Sequence, residues 1–200
     1  MNAPKTLGGW LVHVMREADT ALSVEESLHA IMESMKTYFP CQSVAVLLID
    51  DDTKELRIKI SRQISYSFVK KFHRDEPSPT AEQLVLEQTP LLIEKADPES
   101  QIYRDLKLEH DYASAVAAPI VMNQRGVGYI FADRDVEHEA FNHSDMLHLQ
   151  VVGYLVGNMI EKFDLIKESK RLSQKDDATG TFQYKAFVPA LGTEFGRARK

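Results

Sequence analysis

Residues 113–134 constrain this chain most. Residues 113–122 are a run of small and branched apolar side chains, Asn123-Gln124-Arg125-Gly126 interrupts it, and residues 127–132 are apolar again. Two apolar runs of strand length around a short polar segment containing glycine read as a β-hairpin. Pro119 has no amide proton and so belongs at a strand edge or a bulge. Gly126 and Gly128 suit the turn and a close backbone approach.

The rest of the chain supplies elements to pack on that hairpin. Residues 7–21 place Leu11, Val14, Met15 and Ala18 on one helical face. Ser23-Val24-Glu25-Glu26 is a capping box opening a second helix, with Leu28, Ile31, Met32 and Met35 inward, which Phe39-Pro40 stops. Residues 43–49 form a strand covered on both faces. After a turn at residues 50–53, Leu56, Ile58 and Ile60 alternate with Arg57, Lys59 and Ser61 in a strand with one wet face. Residues 65–73 predict a short helix, 76–79 a rigid loop, 80–88 another helix, and 89–93 an edge strand. Residues 96–112 are a long connection in which Ile102 and Leu106 pack. Asn142 caps a last helix, with Asp145 at its third position, and Leu147, Val151, Leu155, Asn158, Lys162, Leu165 and Leu172 form its stripe.

The order of these parts resembles the second half of a GAF domain. Ser114, Pro119, Gly126, Gly128, Phe141 and Asp145 match its strand, turn and helix-opening motifs, and the likeness extends over residues 22–163. The resemblance implies an α+β sandwich, with an antiparallel sheet of five to six strands, N- and C-terminal helices on one face and ligand-roof helices on the other. It also implies that residues 96–112 roof a cavity, bringing Tyr103, His110, Asp111, Tyr112 and Ser114 toward a small-molecule ligand of unknown identity. Cyclic-nucleotide-binding members carry Asn-Lys followed by Phe-x-x-x-Asp-Glu. Here Gln124 replaces the lysine and Met146 the glutamate, so the ion pair of that lysine with the aspartate is absent.

Composition narrows the chemistry. The 200 residues are 44% hydrophobic with a formal charge of −6, ample for a core and without a basic block for nucleic acid. The single cysteine, Cys41, excludes an intrachain disulfide and fits a reducing compartment. No leader segment opens the chain, and the apolar stretch 151–160 is too short to span a bilayer, so a cytoplasmic protein without membrane insertion is expected. The carboxylates at 50–52 and the histidines His138 and His143 lack metal-ligand spacing, and no nucleophilic triad or phosphate loop occurs, so neither metal nor catalytic residues are expected.

Residues 176–187 resemble the entry segment of GGDEF domains, the diguanylate cyclase family. Asp176, Thr179, Gly180, Phe187, Leu191, Glu194, Arg197 and Ala198 match, while Ala178, Thr181, Gln183 and Tyr184 depart. The expected organisation is a dimerising helix (1–21), a GAF sensor (22–163), a signalling helix (164–175) and the start of an incomplete GGDEF-like output domain (176–200). Leu155, Leu165 and Leu172 would line a homodimer seam. Gly153 and Gly157 either allow close approach of a partner helix or pack on the sheet. The function implied is a sensory module controlling cyclic di-GMP synthesis, or alternatively a ligand-free domain for dimerisation or protein interaction.

Cyclic di-GMP synthesis needs metal-bound carboxylates and nucleotide contacts that these 200 residues lack. Incubation with GTP and magnesium is expected to return GTP alone on chromatography; product abolished by a substitution within the chain would contradict this.

Overall fold

The computed structural model describes residues 7–50, 52–74, 78–173, 187–189, 191 and 197. The chain divides into two compact units, Met1–Ile160 and Glu161–Lys200. The elements, in order, are α1 (Leu7–Thr20), α2 (Val24–Tyr38), β1 (Ser43–Ile49), β2 (Leu56–Arg62), α3 (Tyr66–Lys71), α4 (Pro79–Val85), β3 (Leu91–Ile93), α5 (Gln101–Leu106), β4 (Ser114–Met122), β5 (Arg125–Arg134) and α6 (His143–Ser173). In the first unit the strands form one antiparallel sheet in the order β2-β1-β5-β4-β3. The GGDEF-like segment falls largely outside the described residues; Phe187, Leu191 and Arg197 are helical and exposed.

Each face of the sheet has its own core. On one side Trp10 and Val14 of α1, Ile31 and Met32 of α2, and Leu149, Val152 and Val156 of α6 cover Val46, Val116, Ala118 and Ile130. On the other, Leu84 and Val85 of α4 and Tyr103 and Leu106 of α5 cover Ala45, Leu47, Ala115, Tyr129 and Phe131. This is the expected α+β arrangement, with five strands. The central strands are buried on both faces because each face meets helices.

Local chemistry sets the ends of the elements. The Ser23 hydroxyl accepts the Glu26 amide at 3.1 Å, and the Glu26 carboxylate reaches back to the Leu22 amide at 2.8 Å. Pro79, expected in a loop, instead occupies the first turn of α4, where its missing N–H costs nothing, with Ser78 as cap. At α6, Asn142 accepts from Ser144 and Asp145 while Asp145 accepts from the Asn142 amide at 3.1 Å.

Three expectations shift. The β4–β5 turn consists of Asn123 and Gln124, with φ of 49° and 62°, so Gly126 and Gly128 lie inside β5 rather than in the turn. The pair of left-handed residues matches the strand twist. A Cβ on Gly126 would run into the Val85 carbonyl, so that glycine lets β5 touch α4. In β2 the register shifts, Val46 facing Ile60 and Leu47 facing Ile58. One residue is thereby inserted at Lys59, and Ile58 and Ile60 enter opposite cores although two apart in sequence. In the 96–112 connection Ile102 is exposed, and Tyr103 with Leu106 does the packing, within a helix capped by Ser100.

Gly153 and Gly157 bring α6 against β4, where an added Cβ would meet the carbonyls of Pro119 and Val121. Leu155 is half-buried against the same core. Replacing Gly157 by Val should cost about 2 kcal/mol or more in denaturant unfolding, since the obstacle is backbone. Gly8→Ala, which meets nothing within 4 Å, should be neutral or stabilising. Equal effects would deny the α6–β4 contact.

Candidate functional site

The roof over the second core is tied together by side chains that satisfy backbone ends. Glu109 accepts the Ser65 amide at 2.6 Å and its hydroxyl at 2.5 Å, holding the start of α3. Asp105, itself buried, accepts the Thr80 hydroxyl at 2.7 Å and the Gln101 amide at 2.6 Å, joining α4 to α5. Burial raises the Asp105 pKa, but these bonds outweigh it and hold the carboxyl below the usual range. Arg74 donates to the carbonyls of Asp105 and Lys107, closing the C-terminal end of α5.

Four of the five anticipated ligand residues gather at one end of this roof. The rings of Tyr103 and Tyr112 stack at 4.5 Å, and Tyr112 meets Phe131 edge-on at 5.8 Å. Tyr103 donates to Asp111 at 2.7 Å, Lys107 also engages Asp111, and His110 lies 3.0 Å from the Gln63 carbonyl. Burial, then the bond to Asp111, raises the Tyr103 pKa, and the Lys107 bond lowers that of Asp111. Ser114 lies elsewhere. It shares the parity of Val116 and so faces the α1, α2 and α6 layer, where its hydroxyl donates to the Ile93 carbonyl at 3.0 Å and accepts the Phe141 amide at 2.8 Å.

Asp133 is the polar centre beside that aromatic group. It is 1% exposed and accepts both the Ser43 amide at 2.7 Å and the Ser43 hydroxyl at 2.8 Å. Burial pushes its pKa to about 6 against the pull of these bonds and of His110. The hydroxyls of Tyr112 and Tyr129 are buried and find no hydrogen-bond partner among the described residues. Burial raises the Tyr129 pKa to about 12, and Arg74 and Asp105 contribute to the field at that hydroxyl.

Among the described residues one open space lies against α4 and the hairpin end of β1 and β2. A pocket of about 90 Å³ is walled by Ile49, Leu56, Ala81, Val85 and Leu86, and Lys54, Arg74 and Glu82 complete its lining. The pocket draws on residues read as a turn, a strand and a helix face, and only tertiary contact assembles them. Cys41 is half-buried, and burial, then Asp133, pushes its thiol up to about 12, far from a reactive thiolate. Among the described residues no group of three or more His, Cys, Asp or Glu side chains could hold a metal ion.

The aspartate that lacks its lysine finds another cation. Asp145 lies 3.5 Å from Arg134, which also donates to the carbonyls of Pro40 and Glu139 and stacks 3.8 Å above the Phe141 ring. Sequence reading missed Arg134 because it is eleven residues from Asp145 and ends an apolar strand. The anticipated dimer residues divide: Leu155 is half-buried, Leu165 is 63% exposed, and Leu172 lies on α6 with its side chain outside the described set.

The family model described as the GAF domain matches residues 23–160. The GAF domain of a phosphoenolpyruvate-protein phosphotransferase from Coxiella burnetii is 16% identical, with a TM-score of 0.69 over 84% of this chain and 99% of that one. Its Acinetobacter counterpart is 12% identical, with a TM-score of 0.70 over 82% and 97%. A domain of a putative two-component sensor histidine kinase from Sinorhizobium meliloti 1021 is 16% identical, with a TM-score of 0.57 over 75% and 99%. No curated protein matches the chain.

Asp133 gives the site a pH signature. Its folded pKa is above its value of 3.8, so the folded state holds the proton more tightly, and stability from this group is full at low pH and lost as pH rises through about 6. The unfolding free energy of the wild type, minus that of Asp133→Asn, should fall by up to about 3 kcal/mol between about pH 4 and about pH 7. A flat difference would mean that the two bonds from Ser43 offset the cost of burial.

Proposed function

Because the chain belongs to the GAF domain family, we propose that it is the sensory and regulatory module of a cytoplasmic bacterial signalling protein, acting as a homodimer. The observation that carries this reading is the placement, in one domain, of a pocket against α4 and a C-terminal helix seated directly on the opposite face of the sheet. Val85 of the pocket touches β5 at Gly126, β5 pairs with β4, and β4 meets α6 at Gly153 and Gly157. A ligand biases two packings of α6 only by its differential affinity for them. Relatives of this fold in a phosphotransferase protein and a sensor histidine kinase support a signalling role. No helix among the described residues is long and apolar enough to cross a membrane.

Residues 176–200 support, by their sequence resemblance alone, an output domain of the GGDEF type, and hence a GAF-GGDEF protein that controls cyclic di-GMP synthesis. Leu147, Val151 and Tyr154 on α6 are 47%, 38% and 50% exposed, an apolar face without cover in its own unit, and Leu165 is exposed also. Such a face is most simply covered by the same face of a second copy.

Sedimentation of the full chain should give a dimer, and Tyr154→Glu with Leu165→Glu should give folded monomers, because both side chains are exposed and repelling charges replace them. Filling the pocket with Ala81→Leu should change the dimer dissociation constant by roughly fivefold or more, a coupling at the low end of the usual range. A dimer that survives the double substitution removes the α6 face from the assembly. An unchanged constant in Ala81→Leu favours the second reading, a ligand-free GAF domain serving only for dimerisation or protein interaction.

A further inference from the structure

The pocket against α4 has aliphatic walls and a charged rim whose groups are engaged unequally. Arg74 is committed to the carbonyls of Asp105 and Lys107. Lys54 is different. The hairpin turn holds it at φ 62°, a region that residues with side chains seldom adopt, with its amide on the Asp50 carbonyl at 2.9 Å. Asp50 fixes that turn by accepting the amides of Asp52 and Thr53. Among the described residues nothing engages the Lys54 ammonium, and no ion pair joins Glu82 to either cation. Lys54 thus lines an apolar pocket with an ammonium that no described residue holds.

Resting on the sensory reading above, we propose that this pocket takes a short aliphatic carboxylate, with its hydrocarbon tail against Val85 and Leu56 and its carboxylate on Lys54. Size and polarity both select the tail. Cavities of about 150 Å³ hold a benzene ring, so about 90 Å³ holds a tail of about four carbons. Aliphatic walls give no hydrogen bonds, so a polar tail would lose its own on entry. Two cations against one carboxylate make the rim favour an anionic head over a cationic one. The carboxylate could belong to a free acid or to an aliphatic amino acid, whose ammonium would add Glu82 as a partner. Binding also reaches the roof, because a carboxylate that draws the Arg74 guanidinium weakens its hold on the end of α5.

Titration of the full chain with isovalerate, L-leucine and 3-methyl-1-butanol, followed by calorimetry and by the amide signals of Ile49 and Val85, tests the assignment. These compounds share a branched tail and differ only in the head. Isovalerate or leucine should bind roughly tenfold more tightly than the alcohol, and Lys54→Met should erase that preference while leaving alcohol binding intact. Leucine binding more tightly than isovalerate assigns the amino acid, and the reverse assigns the free acid; both uphold the carboxylate. Equal binding of acid and alcohol, or a preference that survives Lys54→Met, overturns the carboxylate assignment and leaves the sensory reading standing. Failure of all three to bind overturns the assignment as well, while the sensory reading is judged separately by the dimer constant of Ala81→Leu.

Discussion

At the end of β5 two neighbouring residues point to opposite faces of the sheet, one fastening the neighbouring strand and the other the helical layer. Asp133 takes both the amide and the hydroxyl of Ser43, which fixes where β1 begins. Arg134 takes the carbonyl of Pro40, just beyond α2, and that of Glu139, and lies against the Phe141 ring and Asp145 at the start of α6. A strand alternates its side chains, so one dipeptide can hold the sheet edge to edge and also reach the helical layer. The arrangement depends on burial. Arg134 is 8% exposed, and its bonds to carbonyls must replace the water it has lost.

The two layers differ in how they are held. The α1, α2 and α6 layer is joined to the sheet by apolar packing and, at Gly153 and Gly157, by direct contact of helix and strand. The roof is made of short helices, α3 to α5, and short helices gain little from their own backbone bonds. Side chains therefore do the fastening, at Ser65 with Glu109, Thr80 with Asp105, and Arg74 with the end of α5. A layer fastened by a few polar contacts can rearrange locally without unpacking the sheet, which suits the side that carries the pocket.

The pocket and the aromatic group are built from different kinds of residue. Tyr103 and Tyr112 are aromatic residues with polar tips in a long connection, and such residues can hold ligands. Here the two rings stack on each other and Tyr112 meets Phe131 edge-on, so they pack into the second core. The pocket falls where the β1–β2 turn, Arg74 beyond the end of α3 and one face of α4 meet. No local pattern marks that meeting point, because Lys54 and Arg74 are ordinary charged residues in sequence and differ only in what surrounds them.

Much of the fold was legible because it follows from short-range physics. The caps Ser23 and Asn142, the stop at Phe39-Pro40 and the two apolar runs of the hairpin depend on residues a few positions apart, and so the sequence by itself determined the helices, the strands and the kinship with a family. Tertiary structure alone decided the rest. The inserted residue at Lys59, the replacement of a missing lysine by Arg134, the seating of Gly153 and Gly157 on β4 rather than on a second copy, and the orientation of Ser114 away from the roof all depend on which backbone comes within contact distance. That distance is set by the whole packed sheet, since a carbonyl from another element becomes a partner or an obstacle only once every layer is in place.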